Sequence, residues 1–120
     1  MKLLITFGLF LSASLGLAAT SPGNLDCKAQ ERATNAAGQV VVNNAQMVAV
    51  LSPPVVKYSV QIGEKAFSVT EGIDSLLGQI ISGPDFKSGF VVRGNVDLDG
   101  RFTLTEVNEL TTYRIECKKK

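Results

Sequence analysis

Apolar and polar residues alternate with a period of two in Lys57-Tyr-Ser-Val-Gln-Ile62 and again in Lys65-Ala-Phe-Ser-Val-Thr70. Only Gly63-Glu64 separates the two runs, and a glycine at the first central position suits the type II′ turn of a two-residue hairpin. That turn sets Tyr58 opposite Val69 and Val60 opposite Phe67, so both apolar sets fall on one side of the ribbon. The period then lengthens. Ile73, Leu76, Leu77, Ile80 and Ile81 follow the i, i+3, i+4, i+7, i+8 spacing of a one-sided helix, and Gly83-Pro84 supplies a stop.

The flanking segments read mainly as strands. Val40-Val41-Val42 and Met47-Val48-Ala49-Val50-Leu51 form either one long bent strand or two strands about Asn43-Asn44. The second piece has hardly any polar alternation, which points to cover on both faces, and Ser52-Pro53-Pro54 must end it because proline donates nothing to a ladder. Phe90, Val92, Gly94 and Val96 alternate with Val91, Arg93, Asn95 and Asp97, and Phe102 and Leu104 alternate with Arg101, Thr103 and Thr105. Leu98-Asp99-Gly100 suits a type I turn with a left-handed glycine bulge, pairing Asp97 with Arg101, Val96 with Phe102 and Gly94 with Leu104. Thr111 to Cys117 reads as a last strand. Near the start, Leu25 to Ala37 could form a short helix, with Asn24 or Asp26 as N-cap and Gly38 as stop.

The first residues stand apart from this pattern. Met1-Lys2 followed by the uncharged apolar run Leu3 to Leu17 and small residues at Ala18-Ala19 has the layout of a secretory signal peptide over residues 1–19. Residues 20–38 are then an N-terminal segment, 39–117 a single β-rich domain and 118–120 a basic, frayed tail. A mature chain on the order of 100 residues buries roughly two-thirds of its unfolded surface, enough for one core. Cys27 and Cys117 are its only cysteines, near its two ends. In an exported chain such a pair reads as a disulfide, worth roughly 4 kcal/mol for so long a loop in the chain-entropy model.

The element order β-β-β-α-β-β plus a terminal strand describes a mainly β domain with one short helix: a small OB-like barrel, or alternatively a small β-sandwich. The stretch Phe90-Val-Val-Arg-Gly-Asn-Val-Asp-Leu-Asp-Gly-Arg-Phe-Thr-Leu-Thr-Glu-Val107 resembles the bacterial OB-fold (BOF) family, small periplasmic proteins with a V-x-G-x-V-D strand. The resemblance spans roughly Ala45 to Leu110 and implies an exported OB-like barrel.

Charge and composition remove several function classes from the expectation. The chain has no histidine, a net charge of +1 and only two cysteines, so the usual catalytic base, thiol nucleophile and soft metal ligands are missing; no enzymatic activity and no cofactor are expected. Asn95, Asp97, Asp99, Arg101 (through its carbonyl) and Glu106 fit the spacing of a calcium loop. The rival and heavier reading is a hairpin turn that favours Asp and Gly for backbone reasons. The outward set of the first hairpin carries no aromatic ring and one cation, which argues against nucleic acid. Ala66, Ser68 and Thr70 could also lie against another chain by edge pairing. What remains is an exported module, periplasmic or secreted, without a membrane span once the signal is cleaved. Its candidate ligand-binding residues are Lys57, Ser59, Gln61, Ser68, Arg93 and Arg101, with the Ser52–Pro54 and Leu98–Arg101 loops, and its partner is an unidentified protein, peptide or glycan. A structural protein assembling through a strand edge or a helix face is the alternative, and oligomerisation stays open.

Overall fold

The computed structural model describes residues 22–120; the expected signal peptide, 1–19, lies outside them. Nine strands follow one another among the described residues: β1 Leu25–Thr34, β2 Val40–Gln46, β3 Val48–Ser52, β4 Val55–Ile62, β5 Lys65–Glu71, β6 Leu76–Ser82, β7 Ser88–Gly94, β8 Arg101–Asn108 and β9 Thr111–Lys119. They form a four-stranded sheet, β8-β9-β1-β2, and a five-stranded sheet, β3-β4-β5-β6-β7. All ladders are antiparallel, and hydrogen-bonded neighbours are consecutive in the chain except β9 and β1, which bring the last strand to the first. The chain changes sheet at Met47, whose buried side chain marks the corner and whose N–H donates to Cys27 O at 2.9 Å. It changes back through residues 95–100.

The first hairpin forms in the register its pattern predicts, with Tyr58 opposite Val69 and Val60 opposite Phe67. Of its two turn residues only Gly63 has a positive φ, 58°, as a II′ turn requires. Its apolar side faces the other sheet. Tyr58, Phe67, Val69 and Ile80 from one layer meet Cys27, Ala29, Phe102, Leu104 and Ile115 from the other in a single buried cluster. Burying side chains such as Phe67, Ile80 and Ile115 contributes roughly 1.5–3 kcal/mol each. The disulfide joins Cys27 and Cys117, directly opposite each other on β1 and β9 and both buried.

The small β-sandwich, the alternative in the sequence reading, fits this arrangement; among the described residues the closed OB-like barrel and its helix do not form. The segment expected to be a helix is β6, paired on both sides with β5 and β7. Leu76, Gly78 and Ile80 point inward and Leu77, Gln79 and Ile81 outward, so the same apolar positions satisfy period two. Ile73, the first anchor of the expected helical stripe, is 87% exposed in the loop before β6. Leu77 accordingly sits on the outer face rather than in the core. The N-terminal segment is likewise strand: Leu25, Cys27 and Ala29 are buried while Asp26 and Lys28 between them are exposed.

Three further expectations change. The long valine-rich stretch breaks at Met47, not at Asn43-Asn44, and Val48, Val50 and Leu51 are exposed instead of covered. The turn at Leu98-Asp99-Gly100 forms, with Asp97 N–H donating to Arg101 O at 2.8 Å and Gly100 at φ 76°. Beyond it the two strands separate: β7 joins β6 and β8 joins β9, so Gly94 and Leu104 are not ladder partners. Gly94 instead lies beneath the Phe102 ring, where a Cβ would come within 3.3 Å of Cε1. Lys118 and Lys119 do not fray but close the β9–β1 ladder against Asp26 and Leu25.

Candidate functional site

The outer face of the five-stranded sheet is built by the alternation that builds the core. Because Tyr58, Val60, Phe67 and Val69 turn inward, Lys57, Ser59, Gln61, Ser68 and Thr70 turn outward. The registers extend these positions into rows across the sheet. One row runs Val50, Lys57, Thr70, Leu77, Arg93, and the next Val48, Ser59, Ser68, Gln79, Val91. Five of the six candidate residues, Lys57, Ser59, Gln61, Ser68 and Arg93, therefore share one face. Lys57 and Arg93 stand in the same row three strand spacings apart, about 14 Å.

Several of these groups are already oriented. Ser68 Oγ donates to Gln79 Oε1 at 3.1 Å, Gln61 Nε2 to Gly63 O at 2.9 Å, and Arg93 Nη1 reaches Ser75 Oγ at 3.4 Å. Lys57 and Ser59 project free of such contacts among the described residues. The face is edged by aliphatic side chains open to solvent, with Val48 62%, Val50 56% and Val91 53% exposed. β5 is an interior strand with ladders on both sides, so Ala66, Ser68 and Thr70 offer a face but no edge.

Arg101, the sixth candidate, is not part of this surface. It opens β8 in the four-stranded sheet, beside Lys118. Three of the side chains in the calcium spacing are engaged in other contacts. Asp97 Oδ1 accepts the N–H groups of Asp99 at 2.9 Å and Arg101 at 3.0 Å, Asn95 Nδ2 donates to Asp74 O at 2.9 Å, and Glu106 pairs with Lys65 at 3.1 Å. Among the described residues no cluster of three or more His, Cys, Asp or Glu is placed to hold a metal ion.

Compared with known proteins, the chain matches no family model, no curated protein and no solved structure. Its chemistry has to be read from its own side chains.

Two polar groups of side chains escaped the sequence reading because each joins residues far apart in the chain. At the end of the sandwich that carries the Pro53-Pro54 turn and the 95–100 crossing, Tyr58 Oη donates to Glu71 Oε1 at 2.5 Å and accepts from Leu25 N at 3.2 Å. Asn24 donates to the same carboxylate through its backbone N at 3.2 Å and Nδ2 at 3.0 Å, and Lys120 Nζ donates to Gly23 O. Burial, then the hydrogen bond to Glu71, push the Tyr58 phenol well above its ordinary value. Burial also pushes Glu71 up, but the hydrogen bonds from Tyr58 and Asn24, with the charge of Lys120, outweigh it and leave its carboxyl below the ordinary value. Beside this knot lies a cleft of about 260 Å³ bounded by Asn24, Glu71, Ser75, Asn95 and Lys119. At the other end, Lys65 Nζ donates to Ser82 Oγ at 2.7 Å, pairs with Glu106 and sits 4.2 Å from the centre of the Tyr113 ring. Lys65 and Glu106 come from different sheets, so the pair ties the layers together.

Proposed function

We propose that this chain is a non-enzymatic, exported binding module that takes a partner on the outer face of its five-stranded sheet. The observation that carries this reading is the gathering of Lys57, Ser59, Gln61, Ser68 and Arg93 on one face that no other described element covers, edged by Val48, Val50 and Val91. Paired cations, hydroxyls, amides and aliphatic margins suit a flat protein, peptide or glycan surface rather than an enclosed small molecule. A non-catalytic role is supported by the two groups with shifted pKa values. Tyr58 is driven to stay protonated and Glu71 to stay ionised, which leaves neither poised for proton transfer near neutral pH. Export is supported by the buried Cys27–Cys117 disulfide, which suits an oxidising compartment. Among the described residues no helix is long and apolar enough to cross a membrane.

The test is a peptide array and a glycan array probed with the disulfide-bonded chain, repeated with Lys57→Ala/Arg93→Ala. Binding on this face predicts that selected probes lose most of their signal while the melting temperature is unchanged. Probes that ignore both substitutions sink the reading.

A second reading, assembly through a strand edge, is favoured by β2. This edge strand, Val40-Val-Val-Asn-Asn-Ala-Gln46, carries no charge, proline or glycine to discourage pairing. Light scattering at high protein concentration separates the readings, because a strict monomer removes the second.

A further inference from the structure

The outer face of the four-stranded sheet concentrates positive charge in a chain whose total is nearly balanced. Lys28, Arg32, Arg101, Arg114 and Lys118 point outward there, five of the chain's twelve Lys and Arg, against Asp26 and Glu116, two of its eleven acids. On the two central strands the cations alternate from one strand to the other. Lys118 of β9 lies opposite Asp26, Lys28 of β1 opposite Glu116, Arg114 of β9 opposite Gln30, and Arg32 of β1 opposite Thr112. On these two strands each row thus holds one cation, with Arg101 of β8 adding a second to the Lys118 row, and successive rows are about 7 Å apart, so four positive groups zigzag along roughly 20 Å of sheet.

Cross-strand ion pairing would be the ordinary use of such a pattern. Here that use is only partial, because Asp26 is engaged elsewhere and Glu116 alone pairs with cations of the face. Asp26 Oδ1 accepts Gln46 Nε2 at 2.6 Å, and Glu116 Oε2 lies between Arg101 at 3.8 Å and Arg114 at 3.9 Å. Among the described residues Lys28, Arg32 and Lys118 have no ion-pair partner, and Arg101 and Arg114 share one distant carboxylate. The spaces between the cations are filled by hydroxyls and amides, namely Thr103, Thr105, Gln30 and Asn44, the last two already hydrogen-bonded to each other at 3.0 Å. Among the described residues no aromatic side chain lies on this face, so bases would find nothing to stack on. Its exposed aliphatics, Val40 and Val42 on one margin and Val107 on the other, are too few for insertion into a lipid layer.

We infer that this face binds a linear acidic polysaccharide, its carboxylates on the zigzag of Lys118, Lys28, Arg114 and Arg32 and its hydroxyls on the neighbouring amides and threonines. This second surface is on the opposite side of the sandwich from the one proposed above, and neither Lys57 nor Arg93 belongs to it.

The probe is polygalacturonate, titrated into the disulfide-bonded chain by calorimetry at several salt concentrations. Neutral dextran, an oligo-deoxythymidine and phosphatidylglycerol vesicles are run alongside. Expected are binding of polygalacturonate alone, a log affinity that falls linearly with log salt, and a loss of roughly tenfold or more in Lys28→Gln/Arg114→Gln. Amide chemical shifts of the unmodified chain should move at Lys28, Arg32, Arg114 and Lys118, a readout independent of how any variant folds. Lys57→Ala/Arg93→Ala should bind polygalacturonate unchanged. No binding, binding that survives the double glutamine variant, shifts confined to the five-stranded sheet, or preference for the oligonucleotide or the vesicles would each overturn the inference.

Discussion

The hydroxyl of Tyr58 spans the sandwich to accept a hydrogen bond from the backbone of Leu25, 3.2 Å away. Tyr58 belongs to the hairpin of the five-stranded sheet and Leu25 starts the four-stranded one, so a single polar atom links the layers where both are buried. Gly23 makes this approach feasible. At φ 87° it passes so close to the phenol that a Cβ there would lie 2.0 Å from Tyr58 Oη.

Tyr58→Phe leaves the Leu25 N–H without a partner and Glu71 without its shortest donor. The expected cost is about 1–3 kcal/mol in urea unfolding, with little change in the slope of the transition. An unchanged midpoint would mean that water replaces the phenol without loss.

Glu71 should make the fold acid-sensitive. Its carboxyl is held below the ordinary value of 4.5 in the folded state, so the unfolded state binds the proton more readily. Its stabilisation is therefore fully present above 4.5 and is lost as pH falls through the lower folded value. Melting temperatures recorded from neutral pH downwards should drop less steeply for Glu71→Gln than for the unaltered chain. Parallel curves would show that Glu71 does not carry the dependence.

Gly78 lies on β6 directly beneath Phe102 and Leu104, and a Cβ there would stand 3.1 Å from Phe102 Cε2 and 3.0 Å from Leu104 Cδ2. Gly78→Val must push the sheets apart or force these side chains off their rotamers. A destabilisation of about 1–3 kcal/mol is expected by chemical denaturation.

Cys27→Ala/Cys117→Ala opens a loop of sequence separation 90 while keeping β1 and β9 as ladder partners. The expected loss is about 2–5 kcal/mol, read as a lower urea midpoint that reducing agent reproduces in the unaltered chain.

What was legible in the chain by itself was local or covalent. Two runs of period two joined by Gly63-Glu64 determine one hairpin register, because a slip by one residue would turn Phe67 and Val69 to water. The paired cysteines and the Asp97–Arg101 turn were legible for similar reasons, as was the set of outward residues on β4 and β5. The tertiary structure decided the rest. Leu76, Leu77, Ile80 and Ile81 satisfy a helical stripe and a strand equally well, and only ladders to β5 and β7 on either side select the strand. Alternation in Phe90–Val96 and Phe102–Leu104 is the same whether two strands pair with each other or face each other across a core. Packing placed them in opposite sheets, which removed Arg101 from the face shared by Lys57 and Arg93 and set it among the cations of the other. Side-chain periodicity reports which way a residue points relative to its own backbone. Which surface it then shares depends on strand neighbours that no local pattern encodes.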